Sequence, residues 1–171
     1  MSTSPDSESE LFLEAVQLAA NVGSVLRGRQ LTIAVAESCT GGLIGHLFTQ
    51  TPGSSEYFVG GIIAYANSVK QSLLDVPEAT LDQYGAVSEP TVLIMAQIVR
   101  QVFAADIGLA TSGIAGPTGA RPEKPVGLVY IAIAQYPDQP ITRSHQFDGT
   151  RTENKLHFAM AALQLILDNF I

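Results

Sequence analysis

Two short segments of this 171-residue sequence gather the residue types from which reactive turns are built: Glu37-Ser38-Cys39-Thr40-Gly41-Gly42 and Gly113-Ile114-Ala115-Gly116-Pro117-Thr118-Gly119. Glycine permits backbone conformations and close approaches that a Cβ forbids, so the N–H groups of such turns can face an anion or a developing oxyanion. Tight structural turns use the same residues, and the glycine pattern alone leaves both readings open. Neither segment has the Gly-Lys-Ser/Thr of a Walker A loop or the spacing of a dinucleotide fingerprint. His46, His145 and His157 are scattered, with no paired spacing and no acidic or cysteine cluster beside them. That predicts no catalytic or structural metal, no metal cofactor and no histidine-based triad.

Such turns need elements to hold them, and in open α/β sheets ligands collect beyond the carboxyl ends of strands. Leu31 to Ala36 is a short apolar run, which predicts a central strand covered on both faces and ending at the first turn. Asp106 to Ser112 predicts a second strand that runs into the second turn. Around them, Leu13, Val16, Ala20 and Gly23 recur at helical spacing in a segment ending near Gly28, after a disordered tail over residues 1 to 7. Leu43 to Phe48 predicts a helix, Tyr57 to Tyr65 a strand, and residues 67 to 84 short helices broken by Pro77. Ser88 can cap a longer helix carrying Val92, Met95, Ala96, Val99 and Phe103. Val126 to Ala134 and Ile141 to Phe147 predict a hairpin. Thr150-Arg151-Thr152-Glu153 has capping-box spacing ahead of a final helix with Leu156, Met160, Leu163, Leu167 and Phe170 on one stripe. Alternating strands and helices with a late hairpin give an α/β fold: a three-layer α/β/α sandwich with a mixed, mostly parallel sheet. Residues 8 to 171 read as one domain.

Composition narrows the function classes. Apolar residues make up 46% and charged residues 15%, which suits a doubly covered sheet or an apolar surface for self-association, so a homo-oligomer is expected. A formal charge of −7 without a Lys/Arg run argues against nucleic acid or an anionic membrane as partner. Cys39 is the single cysteine, the N-terminus lacks signal-peptide regions, and no apolar stretch approaches membrane-spanning length. A cytoplasmic location is the resulting expectation.

Taken in order, AESCTGGLIGHLFTQTPGSSEYFVGGIIAYANSVKQSLLDV, YGAVSEP, TSGIAGPTGARPEKPVG and GTRTENK closely resemble the CinA C-terminal domain family, over residues 8 to 170. Stand-alone members of that family are nicotinamide-nucleotide amidases. The resemblance implies hydrolysis of the carboxamide of nicotinamide mononucleotide to nicotinate mononucleotide and ammonia, a salvage step in pyridine-nucleotide metabolism, with a small-molecule nucleotide as the partner. Longer relatives carry an extra N-terminal domain, for which this sequence is expected to have no room. The family pattern places the nucleophile at Ser38 and its proton acceptor at Lys70, with Tyr65 close by to relay a proton or orient the amide. A serine hydroxyl attacks an amide only when a neighbouring base removes its proton, and a lysine of lowered pKa can be that base. On the same reading the tetrahedral oxyanion is held by backbone N–H groups of Cys39, Thr40, Gly41 and Gly42, with Asn67 near the substrate. The substrate phosphate then needs donors. Thr111, Gly113 and the Gly116 to Gly119 backbone supply neutral ones, and Arg121, Lys124 and Arg151 supply charge.

Each assignment has a plainer alternative. Ser38 can be a helix N-cap, Lys70 a solvated surface lysine, Tyr65 a core-packing strand residue, and Glu37 either a partner that steers Lys70 or half of an ion pair. Cys39 is a rival nucleophile or a buried structural thiol. Lys124 to Gly127 can be a loop fixed by its proline, Ser88 and Glu89 a helix cap, and Asn67 is similarly divided. Ala120 stands where the family commonly has glycine and Lys155 where it often has arginine, which weakens the case that this cation makes a bidentate contact.

Overall fold

The computed structural model describes residues 5–135 and 137–170. In chain order the elements are α1 (Pro5–Arg29), β1 (Ile33–Glu37), α2 (Leu43–Thr49), β2 (Phe58–Ile63), α3 (Asn67–Leu74), α4 (Glu78–Tyr84), α5 (Glu89–Val102), β3 (Ile107–Gly113), β4 (Leu128–Gln135), β5 (Ile141–Gln146) and α6 (Arg151–Phe170). Of the tail expected over residues 1 to 7, the first four lie outside the described residues, and α1 already begins at Pro5.

The strands form one sheet in the order β2-β1-β3-β4-β5. β1 pairs parallel with both β2 and β3, whereas β4 pairs antiparallel with both β3 and β5, so β4 alone opposes the common direction. The sheet is therefore mixed and mostly parallel, as expected. Side chains alternate across it. Ile33, Val35, Ile107, Leu109, Val129 and Ile131 pack against α1, α2 and α6 in one core. Ala34, Ala36, Ala110, Ala132 and Ala134 face the other way, toward a second core with Val92, Met95, Ala96 and Val99 of α5. Small residues on that face let α5 sit close. At Gly108 an added Cβ would lie only 2.0 Å from the Ala96 carbonyl oxygen.

The end of β1 is where the topology matters for function. From β1 the chain passes to β2 on one side and only later reaches β3 on the other, so the connections diverge and leave a crevice beyond the carboxyl ends of β1 and β3. Both glycine-rich turns emerge there. Two flanking helix starts were legible in different degrees. The capping box at α6 forms, with Thr150 N–H donating to Glu153 Oε2 at 2.8 Å and Glu153 N–H to Thr150 Oγ1 at 3.3 Å. Ser88 holds the N-cap position of α5 but caps no helix N–H; its hydroxyl lies 2.8 Å from the Gly85 carbonyl oxygen.

Candidate active site

Ser38 directly follows β1 and is pinned from both sides. Its N–H donates to the Thr111 carbonyl at 3.1 Å, and the Glu37 carbonyl accepts from Ala64 N–H at 2.7 Å where the chain leaves β2. One residue later Tyr65 leads into α3, and Lys70 in the first turns of that helix reaches back to the end of β1. Lys70 is 1% exposed. Its Nζ lies 3.0 Å from Ser38 Oγ, 2.6 Å from the Ala64 carbonyl oxygen and 3.1 Å from that of Tyr65. A neutral amine has two N–H donors and one lone pair. With the two carbonyls taking the donors, the lone pair is left for the Ser38 hydroxyl proton. Burial penalises the ammonium form and lowers the Lys70 pKa from 10.5 to about 8. The solvated-lysine alternative does not hold.

The turn after Ser38 is organised by a carboxylate. Glu37 is buried, and its Oε2 accepts from Gly42 N–H at 2.9 Å and Ile44 N–H at 3.1 Å, while Oε1 accepts from Gly45 N–H at 2.9 Å. Charge-assisted bonds to the exposed donors of a helix start explain how a buried carboxylate is tolerated there. Glu37 thus neither steers Lys70 nor forms an ion pair; it anchors α2. The residue at the N-cap of α2 is Gly42, at φ 95°, so Ser38 is no helix cap. Of the four N–H groups expected to hold an oxyanion, that of Gly42 is bound to Glu37 and is not open to a ligand. Thr40 is wholly buried, with Oγ1 3.0 Å from Thr111 Oγ1. Burial pushes the Cys39 thiol up to about 12, against a smaller opposing effect of its hydrogen bond to Thr111. A thiol that holds its proton so firmly is the structural one, not a nucleophile.

A cleft of about 320 Å³ lies between the two glycine-rich turns, bordered by Ser38, Tyr65, Val87, Gly113, Gly119 and Arg151. Gly116 and Gly119, also on its wall, sit at φ 88° and 95°, where a side chain would be strained. α6 fixes this second turn. Arg151 Nη1 donates to the Gly116 carbonyl at 2.6 Å. The wholly buried Asn154 donates from Nδ2 to the carbonyls of Ala115 at 3.1 Å and Gly149 at 2.8 Å, and its Oδ1 accepts from Gly149 N–H at 3.1 Å. The result is a small cleft with Ser38 at one wall, backed by the buried Lys70, and the Arg151 cation at the other.

The family model for the CinA C-terminal domain matches residues 15–170. The chain belongs to the CinA C-terminal domain family. It is 50% identical over 149 residues to a CinA-like protein of Salinibacter ruber, a match that spans 87% of this chain and 36% of that protein. A putative competence-damage inducible protein of Halothermothrix orenii is 52% identical over 134 residues, 78% of this chain and 32% of that one. The chain therefore spans about a third of the length of these curated relatives. Among solved structures, the competence/damage inducible protein CihA from Agrobacterium tumefaciens superposes with a TM-score of 0.87 at 34% identity, covering 98% of each chain. ComA from Klebsiella pneumoniae gives 0.87 at 28% identity, covering 91% of this chain and 96% of that one.

Within this CinA C-terminal domain the cleft collects some of the expected residues and leaves others out. Ser38, Cys39, Tyr65, Gly113, Gly116, Gly119 and Arg151 border it. Tyr65 is 65% exposed, and what it gives Lys70 is its main-chain carbonyl; among the described residues its phenol bonds neither Lys70 nor Ser38. Thr111 is wholly buried and engaged with Thr40, so it offers no donor to a phosphate. Asn67 is exposed at the start of α3, outside the cleft wall. Arg121 and Lys124 face each other across a tight bridge, also outside it, and Lys124 Nζ donates to the Tyr84 carbonyl. Of the three cations proposed for a phosphate, only Arg151 reaches the cleft. Sequence reasoning missed Ser112, which lines the cleft and donates to the Ala86 carbonyl at 2.7 Å, and Asn154. The motif GTRTENK contains Asn154, yet a lone asparagine in a helix gives no hint that it will be buried under a distant turn. Among the described residues no cluster of three or more His, Cys, Asp or Glu could hold a metal, and no helix is long and apolar enough to cross a membrane.

Proposed function

We propose that this domain is a serine amidohydrolase that hydrolyses the carboxamide of nicotinamide mononucleotide, releasing ammonia and nicotinate mononucleotide. The observation that supports it most is the 3.0 Å approach of the buried Lys70 Nζ to Ser38 Oγ. On this reading neutral Lys70 takes the Ser38 proton as Oγ attacks the carboxamide carbon. N–H groups of the Cys39–Gly41 turn receive the oxyanion, and the Lys70 ammonium returns the proton to the departing nitrogen as the C–N bond breaks and ammonia leaves. Water, deprotonated by the same amine, then attacks the acyl-serine ester, and Ser38 regains its proton. The substrate assignment comes from the family resemblance.

The deciding experiment is ammonia release from nicotinamide mononucleotide by the purified protein, with and without Ser38→Ala. Release by the native protein that falls at least a thousandfold in the variant is the expected result, since removing a nucleophile leaves only the residual catalysis of binding and oxyanion donors. Binding of the nucleotide without ammonia above the variant's background would instead identify a nucleotide-binding module on the same fold.

A further inference from the structure

Ser112 borders the cleft and takes no part in the passage of protons between Ser38 and Lys70. β1 and β3 run side by side in parallel, with Glu37 opposite Thr111, and Ser38 N–H bonds the Thr111 carbonyl. Ser38 and Ser112 are the next residues along the two strands, and both reach the cleft. Neighbouring strands lie about 4.8 Å apart, a separation that one carboxamide group bridges with its carbon at one hydroxyl and its nitrogen at the other. Ser112 is 1% exposed, and its hydroxyl donates to the Ala86 carbonyl at 2.7 Å. A serine hydroxyl has one proton and two lone pairs. With the proton committed to Ala86, and no donor among the described residues bonded to Oγ, Ser112 meets the cleft as an acceptor alone.

Other acceptors on the cleft border are already in use. The Tyr65 carbonyl accepts from Lys70, that of Ile114 from Gly127 N–H, that of Ala115 from Asn154 and that of Gly116 from Arg151. Among the described residues no carboxylate borders the cleft. Thr118 also has a hydroxyl there, but it sits on the exposed part of the second turn with no bond to fix its proton. It can meet a donor or an acceptor equally well and so discriminates between neither.

A carboxamide and the carboxylate formed by its hydrolysis have nearly the same shape. They differ at one position, where the amide carries an NH2 with two donors and the acid an oxygen that only accepts. An acceptor-only group bonds the first and faces the second lone pair to lone pair. We propose that Ser112 is a specificity-determining residue that accepts a hydrogen bond from the substrate's carboxamide nitrogen, so that the cleft holds the amide and rejects the acid it becomes. The inference rests on the amidase reading for the identity of the ligand. The same contact sets the orientation of the amide, because its carbonyl oxygen finds no donor at Ser112 and must turn away from it.

Binding measured without turnover tests this. In a Ser38→Ala background, calorimetry compares nicotinamide mononucleotide with nicotinate mononucleotide for Ser112, Ser112→Ala and Ser112→Thr. The measurement is made at pH 9, above the Lys70 pKa of about 8, so that an ammonium does not draw the carboxylate. The expected result is a preference for the amide of about tenfold, the scale of one hydrogen bond gained against one lone-pair contact avoided. Ser112→Ala abolishes that preference by weakening the amide while the acid binds as tightly as before or more so. Ser112→Thr, which keeps the hydroxyl, keeps the preference. Equal weakening of both ligands by Ser112→Ala, the mark of a wall that has merely shifted, overturns the proposal. So does an unchanged ratio, no preference in the Ser112 form, or no binding of either nucleotide to it. A preference that persists while the native protein releases no ammonia leaves the role of Ser112 standing and removes the amidase chemistry.

Discussion

A lysine amine within hydrogen-bond reach of a serine hydroxyl is useful only while it lacks its third proton. Burial brings the Lys70 pKa down to about 8, so activity should climb as pH rises through that value and level off above it. The profile of kcat/KM against pH measures this, and a flat profile between pH 6 and 9 would remove Lys70 as the base. The same group makes a separate statement about stability. Its folded pKa lies below its unfolded value of 10.5, so between pH 8 and 10.5 the unfolded chain binds a proton that the folded chain does not. The burial penalty is present in full below pH 8 and fades as pH rises through the window. Relative to Lys70→Met, the native protein should therefore gain stability on going from pH 8 to 10.5, by at most about 3 kcal/mol. Urea unfolding of both proteins at the two pH values gives the difference. A gain of the opposite sign would mean that the folded site favours the ammonium.

Between residue and fold lies the unit β1-turn-α2, whose geometry depends on Glu37. Its carboxylate accepts from three donors, and an amide of the same shape can satisfy at most those facing its single oxygen while turning an NH2 group toward another N–H. Glu37→Gln should therefore destabilise the protein by about 2 kcal/mol and let the turn shift, lowering kcat far more than it raises KM. Steady-state kinetics with a melting curve reads both. An unchanged kcat would show that the turn keeps its shape without the charge. This unit also shows what a sequence can and cannot disclose at the scale of elements. The strand, the turn and the helix were each visible in the apolar run Leu31 to Ala36, the two glycines and the spacing of Leu43, Leu47 and Phe48, because local propensity and burial agree there. The partner of Glu37 was not visible, since its donors are backbone N–H groups that no side-chain pattern announces. That Lys70 lies buried beside Ser38 was legible only through the family motif; nothing in a short polar helix signals that one lysine will turn inward. Thr111 reads as a phosphate donor because it carries a hydroxyl just ahead of the second glycine-rich turn, yet the alternation along β3 turns that hydroxyl into the interior.

For the molecule as a whole, the 46% apolar content finds its place in two cores that share one sheet. The strand residues divide between them, large branched side chains toward α1 and α6 and alanines toward α5, so neither helical layer can be lost without exposing the reverse of the same strands. Gly108 stands where that sharing is tightest. A methyl group there meets the Ala96 carbonyl oxygen at 2.0 Å and Arg100 Cβ at 2.8 Å, and neither can move without shifting the α5 backbone. Gly108 is flanked in the sheet by Ala34 of β1 and Ala134 of β4, so a displaced α5 also loosens its packing on both of those strands. Gly108→Ala should cost about 3 kcal/mol, the upper end of what overpacking by one methyl produces. Because the sheet joins the cores, the loss should appear in a single transition: far-UV circular dichroism and the near-UV signal of Tyr57, which lies in the α1 core, should shift to the same lower urea midpoint with unchanged slope. Two separated transitions, with Tyr57 retained after the helical signal falls, would show that the α1 side folds independently of α5 and that the sheet does not bind the two cores into one cooperative unit.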